Sequence, residues 1–182
     1  TVVFMSNTLY HFSDKIKDVK KTYSLNILNI PAYYINLDED VQKRHEIEST
    51  LRSLGFKSVH RIPGHKEATK RIGVAKSHYD ALSTISKNGL PAIVFEDDVS
   101  VFNFKTRINV PQDADAYYLG NSSWGIYGGK GQLKISISEF DEDTYKIHNM
   151  LAAHAILYLS KSYVDFLNKA IQFNISIETN QD

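Results

Sequence analysis

Glu96, Asp97 and Asp98 follow one another directly after Pro91-Ala92-Ile93-Val94-Phe95, so three carboxylates meet at the mouth of an apolar run. Adjacent acids repel one another and resist desolvation, and a bound cation relieves both costs. The run is rich in Ile, Val and Phe and is flanked by Gly89 and Pro91, a pattern that predicts a buried strand ending in the acids. Side chains along a strand alternate faces, so Glu96 and Asp98 point one way and Asp97 the other. The outer pair, Glu96 and Asp98, can therefore share one divalent ion. Oxygen-only ligands suit Mn²⁺ or Mg²⁺, ions that keep open positions for substrate phosphates. The competing reading is a solvated acidic turn that only closes the strand.

The elements that must position these acids alternate between strand and helix. Pro31 to Leu37 reads as a buried strand, followed by a helix with Ile47, Leu51 and Leu54 on one stripe, acids in its first turn and Gly55 as its stop. Val59–Ile62 predicts a short strand before the Pro63-Gly64 turn. Gly73 to Lys87 predicts a second helix, with Val74, His78, Leu82 and Ile85 on its stripe and Asn88-Gly89 as its end. Beyond the acid-tipped strand come expected strands at Asp115–Leu119 and Ala153–Leu159, and a helix at Ser162–Ile171 with a Ser162/Asp165 capping box. A last strand is expected at Ile175–Ile177. The segment from Gly120 through Trp124 to Gly131 reads as a glycine-rich loop or hairpin. Residues 1–29 are ambiguous, with Thr1–Met5 able to form a strand and the lysine-rich Asp14–Lys21 either a solvated helix or an extension. This alternation predicts an α/β domain with a doubly wound, mostly parallel sheet, helices on both faces, and a ligand beyond the C-terminal strand ends.

A chain of 182 residues with 42% hydrophobic and 12% aromatic content is long enough for one such domain, taken as residues 1–182. Its formal charge is zero and its pI near 7.0, which gives no field for nucleic acid or an anionic membrane. It has no cysteine, which excludes disulfides, thiolate metal sites and a cysteine nucleophile. It has no transmembrane run and no basic-then-apolar leader pattern. The expectation is a soluble, cytoplasmic domain, with peripheral membrane association left open. It starts without Met and stops at Asp182, as a fragment of a longer protein would.

Three motifs then fall in order: Tyr34-Ile35-Asn36-Leu37-Asp38 followed by Arg44, Gly73-Val74-Ala75-Lys76-Ser77-His78, and Ile93-Val94-Phe95-Glu96-Asp97-Asp98-Val99. Together they resemble glycosyltransferase family 25, which includes bacterial lipooligosaccharide galactosyltransferases and collagen galactosyltransferases. Tyr117-Tyr118-Leu119-Gly120 and the pattern from Ala153 to Ile177 extend the likeness. The resemblance implies a GT-A fold, a UDP-sugar donor (a galactose or glucose donor being expected), Mn²⁺, inversion at the anomeric carbon, and a glycan or glycoprotein hydroxyl as acceptor. In the same light Asn36 and Leu37 offer backbone groups to a base, Asp38 holds a base or ribose group, and Arg44 reaches a phosphate. Read without the motifs, Asp38 is an N-cap and Arg44 a solvated helix residue. Gly73 marks a helix N-terminus that favours phosphate, Ser77 is a packing element, and His78 is either a core histidine or a diphosphate donor. Asp97 is a water-mediated ligand or an acceptor from a sugar hydroxyl, and Trp124 either a sugar platform or a packing plug. The resemblance would place the general base at a C-terminal acid, Asp182 first and Glu178 as alternate, while His60, His148 and His154 receive no role, the last two being held in reserve with Asp143. The chain departs from the family in placing Glu39-Asp40 where a basic residue often follows, and in its blurred C-terminal acidic motif. The alternatives are a catalytically inactive binding module of similar fold and, less compatible with the position of the acids, a receiver-type phosphotransfer domain.

Overall fold

The structure is a computed structural model, and it describes residues 2–5, 21–120, 136–140, 144–148 and 153–179. Among the described residues, ten strands and three α-helices follow one another as β1 (Val2–Met5), β2 (Thr22–Asn26), β3 (Ala32–Asn36), α1 (Val41–Ser53), β4 (Val59–Pro63), α2 (Lys70–Asn88), β5 (Ala92–Glu96), β6 (Arg107–Pro111), β7 (Ala116–Tyr118), β8 (Ser136–Glu139), β9 (Thr144–His148), β10 (Ala155–Tyr158) and α3 (Lys161–Thr179). Eight strands form one sheet in the order β4-β3-β5-β10-β7-β1-β9-β8, and β2 pairs with β6 in a separate ribbon.

The class is mixed α/β, and the sheet is less parallel than the alternation predicts. The β3-β4, β3-β5 and β1-β7 pairings are parallel, whereas β10 runs antiparallel to both β5 and β7, and β9 to β1 and β8. Direction is invisible to hydrophobic patterning, because a buried strand reads as the same short apolar run whichever way it enters the sheet.

Both faces of the central strands are covered. Tyr34, Ile93, Phe95 and Leu157 pack with Ile47 and Leu51 of α1 and with Ile108 and Val110 of β6. On the opposite face Tyr33, Val94, Ile156 and Tyr158 pack with Leu82 and Ile85 of α2 and Val164 of α3. The period-2 alternation along β3 and β5 thus sorts side chains between an α1 face and an α2/α3 face.

Several boundaries differ from the sequence reading. Helix α1 begins after Asp40 and has no acid in its first turn. Helix α2 starts at Lys70, so Gly73 lies inside its first turn; Val74 is 45% exposed, and Ile72, Ser77 and Ala81 join Leu82 and Ile85 on the buried side. Both expected stops hold, with Gly55 and Gly89 at φ of 95° and 108°, values that glycine adopts without a Cβ penalty. Ile175–Ile177 is helix, not strand. Helix α3 lies along α2, tied by Ser86 to Asp165 and by Arg71 to Glu178, and runs on to Thr179 through Ile177, which is exposed. Ser160 caps α3 by accepting from the Tyr163 amide, while Asp165 turns to Lys161 and Ser86, so the expected Ser162/Asp165 box does not form. Residues 22–29, ambiguous in sequence, supply β2 and the buried Ile27. Among the described residues no helix is long and apolar enough to cross a membrane.

Candidate metal centre

The C-terminal ends of β3 and β5 and the start of β10 converge at one edge of the sheet. Antiparallel register sets Ala155 opposite Phe95, and the Glu96 amide donates to the His154 carbonyl at 3.0 Å, so Glu96 and His154 are cross-strand neighbours. Glu96 continues the parity of Ala92 and Val94 and therefore faces α2. Its Oε2 lies 2.7 Å from His154 Nδ1, and its Oε1 lies 3.5 Å from Nε2 of His78 on α2. Asp98, in the turn after β5, returns to the same side: one ligand atom from each of Glu96, Asp98 and His154 falls within 4.8 Å of the others.

Glu96 takes its side from the strand and Asp98 from the turn that follows, and Asp97 diverges. It shares the face of Ile93 and Phe95, where its Oδ2 accepts from Asn36 Nδ2 at 2.7 Å and its Oδ1 lies 3.7 Å from Lys43 Nζ on α1. The two faces of one short strand thus hold two different sets of acids.

The electrostatics follow the contacts. The hydrogen bond from His78, chiefly, and the proximity of His154 hold the Glu96 carboxyl below the usual carboxylate range, against the burial that would raise it. The carboxylates of Glu96 and Asp98 and the imidazole of His154 form a donor set that a divalent ion can use. Two oxygens and a nitrogen fit Mn²⁺ and other first-row ions better than Ca²⁺ or Mg²⁺, which prefer oxygen throughout. The 2.7 Å between Glu96 Oε2 and His154 Nδ1 is a hydrogen-bond distance, and an ion would take the place of that bond.

The strand end of β3 and helix α1 hold the residues expected to meet the nucleotide, each with partners of its own. Asn36 is 2% exposed, and its carbonyl accepts from Gly64 N–H and Arg61 Nη2, both at 2.9 Å. The Leu37 carbonyl accepts from the Asp40 amide. Asp38 is exposed and paired with Arg61, and the N-cap position belongs to Asp40. Arg44 lies on the outer side of α1 with Glu48, which also accepts from the Tyr34 hydroxyl. The basic residues that the fold brings to this strand end are Arg61 and Lys43.

Gly73 and Ser77 serve packing. A Cβ at Gly73 would meet the His65 carbonyl oxygen at 2.6 Å, and Ser77 Oγ accepts from the His65 amide at 2.8 Å while donating to the Gly73 carbonyl. The motif from Gly73 to His78 therefore docks α2 against the loop after β4 and aims His78 at Glu96. Glu178 lies in the last turn of α3, with its Oε1 3.0 Å from Arg71 Nε at the N-terminal end of α2. Asp182, Trp124 and Asp143 lie outside the described residues, as does the side chain of His148. His60 stacks on Tyr33 on the edge strand β4.

The residue that sequence reasoning passed over is His154. Only the antiparallel register of β10 against β5 pairs it with Glu96, and no spacing within the chain announces that register. No family model matches the chain, and no curated protein matches it either.

Proposed function

We propose that this chain is a metal-dependent glycosyltransferase domain of GT-A-like architecture that moves a hexose, galactose or glucose, from a UDP-sugar to a glycan or protein hydroxyl with inversion. The observation that carries the proposal is the convergence of Glu96, Asp98 and His154 at the ends of two central strands. The ordered motifs that resemble glycosyltransferase family 25 supply the donor class and stereochemistry.

In this reading Glu96, Asp98 and His154 hold Mn²⁺. When bound, the ion supplies Lewis-acid stabilisation of the negative charge that develops on the diphosphate leaving group. His78 fixes Glu96 by its contact at 3.5 Å, as groups behind metal ligands commonly do. Asp182 takes the acceptor proton, with Glu178 as alternate. For Glu178 that role requires release of Arg71.

The test is Mn²⁺ titration together with UDP-sugar hydrolysis and transfer, in wild type, Glu96→Gln, Asp98→Asn and His154→Ala. The three variants should stay folded, lose Mn²⁺ binding and lose turnover. Full turnover in Asp98→Asn or in excess chelator overturns the proposal. A base variant, Asp182→Asn or Glu178→Gln, should lose transfer while still binding donor and Mn²⁺.

A further inference from the structure

Asn36 makes more polar contacts than any surface role requires. Its Nδ2 donates to Asp97 Oδ2 at 2.7 Å and to the Asp40 carbonyl at 3.0 Å, and its Oδ1 accepts from Arg61 Nε at 3.2 Å. With its carbonyl bonded to Gly64 and Arg61, one side chain and one peptide tie together the end of β3, the start of α1, strand β4, the loop after it and the turn after β5. A buried amide is costly to leave unsatisfied, so these five bonds hold as a unit.

The tie has a consequence one residue away. Asp97 sits between Glu96 and Asp98, and its carboxylate would otherwise add a third negative charge to their side of the turn. Held on the α1 face by Asn36, it fixes the backbone from which Glu96 and Asp98 reach the other face. We infer that Asn36 is a positioning residue for the metal site and that Asp97 is its strut, neither a metal ligand nor a sugar contact. The inference rests on Mn²⁺ binding by Glu96, Asp98 and His154. Partners that orient ligands typically change metal affinity about 10–100-fold when removed.

The experiment measures Mn²⁺ affinity by calorimetry and thermal stability side by side in wild type, Asp97→Asn, Asp97→Ala, Asn36→Asp and the double variant Asn36→Asp/Asp97→Asn. Asp97→Asn keeps an oxygen for Asn36 Nδ2 to donate to, and should bind Mn²⁺ within a few-fold of wild type. Asp97→Ala removes the strut, and Asn36→Asp sets one carboxylate against another; each should weaken Mn²⁺ binding about 10–100-fold. The double variant reverses donor and acceptor across the Asp97 bond and should recover the part of the loss due to that bond, while the Asp40 carbonyl stays without its donor. A purely structural bond would lower melting temperature in these variants without changing Mn²⁺ affinity, and that result overturns the inference. So does equal damage by Asp97→Asn and Asp97→Ala, the signature of a ligand. If Asn36→Asp does not fold, the two Asp97 variants decide alone. If wild type binds no Mn²⁺, the metal proposal falls and this inference with it; if wild type binds and the variants are unaffected, only this inference falls.

Discussion

Replacing Gly73 by alanine sets two known effects against each other. Gly73 is the fourth residue of α2, and an alanine inside a helix is favoured over glycine by about 0.8–1.0 kcal/mol. Propensity alone therefore predicts a more stable protein. The added Cβ would, however, stand 2.6 Å from the His65 carbonyl oxygen and 3.4 Å from the Glu67 amide nitrogen, both backbone atoms that no rotamer change can move. The loop must retreat by a good fraction of an ångström. Overpacking of this kind costs about 1–3 kcal/mol. Retreat also stretches the 2.8 Å bond from the His65 amide to Ser77 Oγ, worth about 0.5–1.5 kcal/mol. Setting cost against gain leaves a net loss of about 0.5–3.5 kcal/mol, and about 2 kcal/mol in this size range lowers the melting temperature by roughly 4–8 °C. Differential scanning calorimetry with urea unfolding measures it, and Ser77→Ala reports the hydrogen-bond part separately. A Gly73→Ala protein that melts above wild type would refute the reasoning, because the close approach of α2 to the loop would then carry no cost.

Arg44→Ala should leave donor affinity and stability close to wild type, since its partner is Glu48 on the solvent side of α1, whereas Arg61→Ala should lose about 1.5–3 kcal/mol of stability by chemical denaturation, because it removes charged donors from Asn36 and Asp38. A raised donor constant in Arg44→Ala with Arg61→Ala unaffected would reverse that assignment. Burial first, and the Glu48 hydrogen bond second, push the Tyr34 hydroxyl up to about 12. Its folded value is raised, so the stability it protects is intact below the unfolded value of about 10 and drains away as pH climbs toward 12; Tyr34→Phe should flatten that alkaline slope. Glu96 has the opposite sign: its depressed value contributes stability above the usual carboxylate range, which is lost as pH falls through the folded value. Metal-free Glu96→Gln should therefore have a shallower acid limb than wild type, and an unchanged limb would show that His78 and His154 do not stabilise the carboxylate.

Features encoded over a few residues were legible in the chain itself. Strand alternation is a local property, so the side on which Glu96 leaves β5 could be read before any fold was known, whereas Asp97 and Asp98 lie in the turn after it. The helix stops at Gly55 and Gly89 were equally plain, because a positive φ is a demand on one residue. Ser77 as a packing element followed from its place in the Gly73 motif. Tertiary structure decided the rest. It continued α3 through Ile175–Ile177, tied Asn36 to Asp97, and paired Arg44 with Glu48 while bringing Arg61 to Asp38. It also chose the antiparallel direction of β10, and with it brought His154 beside Glu96 and Asp98. Glu96 and His154 are 58 positions apart, and what joins them is a strand register set by burial on both faces of the sheet, a sum over many distant contacts that no short stretch of sequence contains.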